Sequence, residues 1–168
     1  GGGAVFFELA RQQRFAHAVI SDQNLELVTT YQALRDDVES VIQSLSRLKH
    51  NEESFYRLRA TKPRVPHRVA ARMIFLNRTG FNGLYRVNRA GQFNVPFGHY
   101  KSPRICDPKG LRTVSKALQN VEILHADFEQ TVSSASAQDV VYFDPPYLPV
   151  SATASFAQYH KLPFGADE

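Results

Sequence analysis

The 168-residue sequence is poor in cysteine, and its single cysteine, Cys106, excludes an internal disulfide and a zinc site built from several cysteines. No apolar run approaches the roughly 18 residues that a membrane-spanning helix needs, and no signal-peptide pattern is visible. Cys106 is therefore most simply interpreted as a small, buried or half-buried apolar residue. These absences predict a protein of a reducing, cytoplasmic compartment that does not enter a membrane.

Acidic residues are scarce in the middle of the chain. Between Arg47 and Lys116, sixteen Lys and Arg residues face only three acids (Glu52, Glu53 and Asp107), a net charge of +13. The remainder has four basic and thirteen acidic residues, a net charge of −9. Segregation this strong indicates a polyanionic partner, although chance clustering on a solvated surface is the alternative. Most of the basic residues are arginines, which suit phosphates and guanine edges.

The most informative motif is Asp144-Pro145-Pro146-Tyr147, which directly follows the apolar run Val140-Val141-Tyr142-Phe143. This order predicts a strand that ends at a rigid polar pocket. A carboxylate and free backbone carbonyls could accept hydrogen bonds from the exocyclic amine of a planar ring, because proline removes backbone donors. The tyrosine offers a face for stacking. An ordinary strand-to-turn junction is the alternative interpretation of the motif alone.

Strand and helix patterns alternate near both ends of the chain, which predicts an α/β fold around a sheet. Predicted strands cover 17–20, 121–124 and 140–143, and predicted helices follow the initial glycines and cover 25–45 and 110–118. The basic middle segment is then an insertion, with a helix whose apolar face includes Val69, Ala70 and Leu76 and whose other face carries Arg68 and Arg72.

Residues 81–96 predict a β-hairpin whose turn contains Gly91, placed for a left-handed backbone conformation. Alternation divides the hairpin into two faces. The polar face would carry Arg86, Asn88, Gln92 and Asn94, and the apolar face Tyr85, Val87, Phe93 and Val95. The pattern predicts a hairpin that packs on a core and reads a ligand with its outer side, although a plain surface hairpin is equally consistent with it.

Gly1-Gly2-Gly3 opens a helix, and an acid, Asp22, follows about twenty residues later at a strand end. This spacing is typical of an adenosine site, where glycines allow close approach and the acid binds ribose hydroxyls. Asp127-Phe128 follows another predicted strand and would lie at the same sheet edge, with Asp127 near an adenine amine. Each acid could instead cap a helix.

Taken in order, these motifs resemble those of the adenine-specific DNA methyltransferases of the Dam type. The segments 77–86 and 91–101 resemble the target-recognition hairpin of that family, and 151–156 with Tyr159-His160 resembles the loop after its catalytic motif. The resemblance implies a Rossmann-like methyltransferase sheet in residues 1–46 and 113–168 and a mainly helical, hairpin-containing target-recognition insertion in residues 47–112.

The resemblance also implies the chemistry. S-Adenosylmethionine would donate a methyl group to the N6 amine of an adenine flipped out of double-stranded DNA, without a metal ion. The expected catalytic residues are Asp144, Pro145, Pro146 and Tyr147. The expected cofactor-binding residues are Gly1, Gly2, Gly3, Asp22, Asp127, Phe128 and Asp144.

Arg86 matches the position that reads guanine in a GATC site in this family. The expected DNA-binding residues are Arg78, Phe81, Asn82, Leu84, Arg86, Asn88, Asn94, Pro96, His99, Tyr100 and Lys101. His99 stands where the family often has a basic residue, so its phosphate contact would depend on pH. A monomer in a bacterial or phage-infected cytoplasm, associated with the nucleoid, is the expected setting.

The sequence departs from the family in lacking an N-terminal Lys/Trp/Gly-Gly-Lys segment, the acid-Pro-Phe strand before the glycines and further strands after Glu168. We therefore expect an interior piece of the enzyme that is inactive alone. A non-catalytic DNA-binding fragment or decayed homologue is the alternative function. A nicotinamide dehydrogenase leaves the Asp144–Tyr147 motif unexplained, and methyltransferases of RNA or of protein glutamine usually carry Asn at Asp144.

Overall fold

The computed structural model describes residues 2–144. Seven helices and two strands follow one another in this range: α1 Ala4–Arg11, β1 Ala18–Asp22, α2 Leu25–Asp36, α3 Val38–Ser46, α4 Glu52–Arg59, α5 Pro66–Thr79, α6 Pro108–Leu118, β2 Val121–His125 and α7 Phe128–Val132. A short 3₁₀ turn covers Phe81–Gly83. The predicted α/β class is confirmed, and no helix of residues 2–144 is long and apolar enough to cross a membrane.

The two strands pair in parallel, with Ala18 opposite Val121 and Asp22 opposite His125. Their positions match the two strands predicted at residues 17–20 and 121–124, extended by one or two residues at the carboxyl end. Because parallel strands present their carboxyl ends at one edge, this pairing brings the loops after both strands together. We call that edge, from Asp22 to Asn24 and from His125 to Asp127, the carboxyl edge.

The single helix predicted across residues 25–45 is wrong in one respect, because the chain breaks at Asp37. There φ is −150° and the Asp37 side chain accepts a hydrogen bond from the backbone N–H of Ser40. An aspartate that satisfies an otherwise unpaired amide starts a new helix more favourably than it continues an old one. The apolar positions on both sides keep their helical spacing, so α2 and α3 both pack into the core.

The strand predicted at residues 140–143 is not formed. The backbone there is irregular, and Val140 is 95% exposed. A strand is stable only when a neighbour pairs with its backbone groups, and among residues 2–144 the sheet consists of β1 and β2. Pro145, Pro146 and Tyr147, with the loop at 151–160, lie outside the described residues, as does Gly1.

One cluster of buried apolar residues joins the helices, the strands and the hairpin segment. It draws Val28 from α2, Phe75 from α5 and Ile123 from β2, and also Val95 and Phe97 from the chain that follows the hairpin turn. This cluster places the hairpin on the same core as the strand pair. Core burial of this kind stabilises by about 25 cal/mol per Å² of apolar area removed from water.

Arg72 does not lie on the outer face of α5, contrary to the sequence prediction. Its side chain is only 8% exposed and forms an ion pair with Glu26 of α2, with Nη1 and Oε1 2.5 Å apart. Nε and Nη2 donate to the backbone carbonyls of Leu58 and Arg59 at 3.2 and 2.9 Å. A buried guanidinium is retained when its donors are satisfied in this way. Arg72 is therefore not available to a polyanion.

Candidate cofactor edge and DNA-binding surface

The carboxyl edge brings the two predicted cofactor carboxylates onto neighbouring loops. An Asp22 side-chain oxygen accepts a hydrogen bond from the Asn24 amide at 2.7 Å, and Asn24, not Asp22, caps α2. Across the edge, His125 Nε2 hydrogen-bonds with the Gln23 carbonyl at 3.0 Å. These contacts fix the direction of both loops and place Asp22 where a ligand at the strand ends could be bound.

Gly3 lies at the N-terminal cap of α1 with φ at +70°, a conformation that favours glycine. A Cβ at this position would come within 2.9 Å of the Tyr31 hydroxyl and 3.0 Å of the Phe7 ring. Burial, and secondarily the charge of Asp22, raise the pKa of Tyr31 to about 12. The glycine loop thus lies close to Tyr31 and Asp22. At Gly3 there is no space for a side chain.

Asp127 is the N-cap of α7, and its Oδ1 accepts a hydrogen bond from the Gln130 amide at 2.9 Å. The capping alternative is therefore confirmed, while its role toward adenine stays a prediction. The hydroxyls of Thr131 and Ser21 lie 2.7 Å apart and join α7 to β1. Phe128 is 43% exposed, and its ring lies 6.2 Å from that of Phe143, edge to face.

Asp144 follows Phe143 directly and is exposed. The ring contact between Phe128 and Phe143 brings the start of the Asp144–Tyr147 motif toward the segment that contains Asp127. The meeting of the catalytic motif with the cofactor edge stays a prediction, because Pro145, Pro146 and Tyr147 lie outside the described residues. No group of three His, Cys, Asp or Glu residues that could hold a metal ion occurs in the described range.

The predicted hairpin forms with the predicted division into two faces. Val87, Phe93 and Val95 are buried, whereas Arg86 and Gln92 are exposed and Asn88 and Asn94 are half-buried. Its regular pairing is short: Val87 and Phe93 form one antiparallel bridge, and a turn with Gly91 at φ +70° connects the two strands. The inner side packs on the core, so the outer side is available to a ligand.

Two side-chain pairs organise the outer face of the hairpin. Arg86 Nε donates to Asn94 Oδ1 at 2.9 Å, and Asn88 Nδ2 donates to Gln92 Oε1 at 3.2 Å. Among residues 2–144 the terminal nitrogens of Arg86 have no hydrogen-bond partner. An exposed guanidinium whose Nε is bound while its terminal N–H groups are unpaired is suited to a bidentate acceptor such as a guanine edge.

Before the hairpin, the 3₁₀ turn presents apolar and amide side chains to solvent. Phe81 is 49% exposed and Leu84 38% exposed. Asn82 adopts a left-handed conformation at φ +52°, and the Asn77 side chain donates to the Gly83 carbonyl at 2.6 Å. Exposed apolar side chains on a braced turn can insert between bases.

A shallow cleft of about 360 Å³ lies between Arg78, near the C-terminal end of α5, and the segment 100–104. It is lined by Arg78, Tyr100, Lys101, Ser102, Pro103 and Arg104. The first three of these are among the predicted DNA-binding residues, whereas Ser102, Pro103 and Arg104 are not. The signal available for them was a basic residue on each side of a Ser-Pro pair, a composition that favours an exposed, positively charged loop. Pro96 and His99 are exposed on the connecting segment.

The chain is similar to known proteins along its whole length. The family model of the D12 class N6 adenine-specific DNA methyltransferases matches residues 1–168. The chain is 41% identical over 182 residues to the type II methyltransferase M.MjaIII of Methanocaldococcus jannaschii, covering 100% of this chain and 63% of the relative. It is 41% identical over 169 residues to M1.LlaDCHI of Lactococcus lactis, covering 95% of this chain and 58% of the relative.

A third relative is the DNA adenine methylase of Escherichia coli, 34% identical over 174 residues, which cover 100% of this chain and 61% of the relative. The chain thus spans about three fifths of the length of the curated relatives it matches. The family match runs through the glycine loop, the hairpin and the Asp144–Tyr147 motif alike. The chain belongs to the D12 class N6 adenine-specific DNA methyltransferase family.

Proposed function

We propose that the full-length protein transfers a methyl group from S-adenosylmethionine to the N6 amine of adenine in double-stranded DNA, at a GATC site. The observation that carries this proposal is the match to the N6 adenine-specific family across residues 1–168, which include Asp144–Tyr147. Membership of this family supports methyl transfer to the adenine amine. The exposed polar face of the hairpin supports sequence-specific binding to duplex DNA. The relatives named DNA adenine methylase support adenine as the methylated base.

In this proposal β1 and β2 belong to a Rossmann-like methyltransferase sheet formed by residues 1–46 and 113–168, and residues 47–112 form the target-recognition insertion. The parallel pairing of strands far apart in sequence supports a sheet of this type. The wealth of basic residues in the middle segment supports its role in DNA binding.

The residues at the carboxyl edge fit S-adenosylmethionine. A carboxylate such as Asp22 can accept hydrogen bonds from ribose hydroxyls, and the exposed Phe128 ring can pack against adenine. A Cβ at Gly3 would crowd Tyr31 and Phe7, whereas nothing lies within 4 Å of the Cβ position of Gly2, so the glycine loop leaves open space for a ligand at Gly2. The cofactor would supply a methyl group bound to a positively charged sulfur atom.

Asp144 would accept a hydrogen bond from one N–H of the target amine, and the carbonyls beside Pro145 and Pro146 would accept the other. These acceptors keep the nitrogen lone pair directed at the methyl carbon and stabilise the positive charge that grows on the amine. Transfer would form a bond between the amine nitrogen and the methyl carbon as the carbon–sulfur bond breaks, which would leave the sulfur as a neutral thioether, and the amine would then lose one proton to water. Tyr147 would stack on the flipped base.

The exposed hairpin residues would recognise the DNA site. Arg86 would donate two hydrogen bonds to a guanine edge. Asn88 and Asn94 would hold the Arg86 side chain in place or contact the sugar-phosphate backbone of the DNA. Base contacts, or insertion between bases, would come from Phe81, Asn82, Leu84 and Pro96. Contacts to phosphates and to the space that the flipped adenine leaves in the duplex would come from Arg78, His99, Tyr100 and Lys101.

The proposal is tested by measuring transfer of labelled methyl groups from S-adenosylmethionine to duplex DNA by the full-length protein. Duplexes carry GATC, a sequence with one altered base pair, or GATC already methylated at both N6 positions. We expect transfer to the first duplex only. Asp144→Ala should abolish transfer and keep DNA affinity within a few-fold, whereas the exposed strand variant Glu122→Ala should behave as wild type. DNA binding without transfer by the wild type would instead support the non-catalytic alternative.

A further inference from the structure

Tyr85 connects the hairpin to the helix that begins at the carboxyl edge. Its side chain lies on the inner face, where its ring contacts that of Phe93 edge to face at 5.6 Å between centroids. Its hydroxyl reaches past the hairpin to Oε2 of Glu26 in the first turn of α2, at 3.5 Å. Because side chains alternate along an extended strand, the next residue, Arg86, must point outward.

Glu26 is held in turn by Arg72, which binds its other carboxylate oxygen at 2.5 Å. The three side chains Glu26, Arg72 and Tyr85 form a polar cluster below the hairpin. Arg72 has all its contacts on backbone carbonyls or on Glu26, so it determines the position of the half-buried carboxylate. Glu26 presents its other oxygen to the Tyr85 hydroxyl across a long contact of 3.5 Å, which a small shift of α2 would strengthen or break.

The second strand of the hairpin is tied to the same cluster. Arg59 Nη1 donates to the Val95 carbonyl at 3.1 Å, and the Arg59 carbonyl accepts from Arg72. Both strands that flank the Gly91 turn are therefore anchored through Arg72, one by way of Tyr85 and Glu26 and the other by way of Arg59. The pair formed by Arg86 and Asn94 is positioned by these anchors from beneath.

The cluster also reaches the predicted cofactor site. Asn24 accepts from the amide of Glu26 at 3.0 Å, and its own amide donates to Asp22 at 2.7 Å. Burial raises the pKa of the Tyr85 hydroxyl, and the Asn24 side chain opposes that rise. A continuous series of polar contacts thus leads from Asp22 to the residue next to Arg86.

We infer that Tyr85 is a positioning residue that links cofactor binding at Asp22 to reading of the DNA site by Arg86. The inference rests on the proposed function. A ligand that fixes Asp22 also fixes the start of α2, and through Glu26 and Tyr85 it orders the first hairpin strand. DNA then binds to a hairpin that is already ordered, so each ligand increases the affinity for the other by the same factor.

The experiment uses the full-length protein and the variant Tyr85→Phe, which removes only the hydroxyl and keeps the ring against Phe93. DNA dissociation constants are measured with and without S-adenosylhomocysteine, on a GATC duplex and on a duplex with one changed base pair. For the wild type we expect S-adenosylhomocysteine to tighten GATC binding by about five-fold or more. In Tyr85→Phe this factor should fall to below about two, the KM for DNA should rise, and kcat should change by less than about two-fold.

The control is Tyr56→Phe on α4, whose hydroxyl has no hydrogen-bond partner in the described part of the chain. It should keep the wild-type linkage factor, and both variants should keep the thermal midpoint within a few degrees. An equal linkage factor in Tyr85→Phe and wild type overturns the inference, as does a wild type with no linkage. If the wild type methylates no DNA, the proposed function itself fails, so the two failures are distinguishable.

Discussion

Asn94 Oδ1 accepts a hydrogen bond from Nε of Arg86 at 2.9 Å, across the two strands of the hairpin. The bond leaves the terminal N–H groups of this exposed guanidinium without a hydrogen-bond partner among residues 2–144. A side chain that would otherwise sample many rotamers is thereby held in one direction, which reduces the entropy lost when it binds. Asn94 thus prepares Arg86 for a planar acceptor.

Arg86→Lys in the full-length protein should reduce discrimination at one base pair by about 1–3 kcal/mol, because an ammonium group cannot form the two parallel hydrogen bonds of a guanidinium. The measurement is kcat/KM on GATC and on the duplexes with each single base-pair change. Arg89→Lys, at the exposed hairpin turn, is the control and should leave discrimination unchanged. Equal weakening on every duplex would instead make Arg86 a phosphate contact.

Gly3→Ala should destabilise the protein by about 1–2 kcal/mol, since an L residue at φ +70° is strained and its Cβ would crowd Tyr31 and Phe7. The variant should also weaken S-adenosylhomocysteine binding by calorimetry. Gly2→Ala is a matched control, because nothing lies within 4 Å of the Cβ it would add. If urea unfolding gives the same free energy for both variants, the close packing at Gly3 is not a constraint.

The buried Tyr31 phenol should make stability depend on alkaline pH. Burial and Asp22 raise its pKa from 10.0 to about 12 in the folded state, so the folded protein retains this proton where the unfolded chain has lost it. The contribution is fully present below pH 10 and is lost as pH rises from about 10 to 12. Tyr31→Phe should flatten this part of the stability curve, by about 3 kcal/mol at most, in urea unfolding measured against pH. A curve of unchanged slope would contradict the assignment.

Arg72→Met should destabilise the protein by about 3 kcal/mol, because the change leaves the Glu26 carboxylate and two carbonyls without their partner. Arg68→Met, on the exposed side of the same helix, should change the unfolding free energy by less than about 0.5 kcal/mol. Urea titration of both variants decides between a buried and a solvated Arg72. Similar values for the two would show that Arg72 contributes no more than a surface residue.

The hairpin could be predicted from the sequence because its information is local. Alternation of polar and apolar residues and a glycine in the turn are sufficient to assign both faces. The break at Asp37 also had a local signal, an aspartate three residues before Ser40, but the continuous apolar spacing of α2 and α3 conceals it. Where two local patterns compete, the capping hydrogen bond decides the outcome only in the folded chain.

The interior position of Arg72 required tertiary information. It lies three residues after Val69 and four before Leu76, so its spacing fits the apolar face of α5. A buried guanidinium there is stable only if an acidic side chain from another part of the chain pairs with it. That partner, Glu26, is 46 residues away in sequence. Likewise, the apolar composition of 140–143 favours a strand, yet pairing depends on a neighbour that the local sequence does not contain.

The shared core has a consequence for redesign of this enzyme family. Phe97 and Val95 pack in the same buried cluster as Val28 and Ile123. The segment proposed to recognise the DNA sequence is therefore also part of the hydrophobic core. Exchanging only the hairpin turn between relatives would keep this packing. Exchanging the whole of Phe81–Phe97 would also replace the inner-face side chains that pack in the core. Such a chimera would fold only if the contacting residues of α4 and α5 were exchanged with them. New specificities should therefore arise more readily by substitution on the outer face than by transplanting the element.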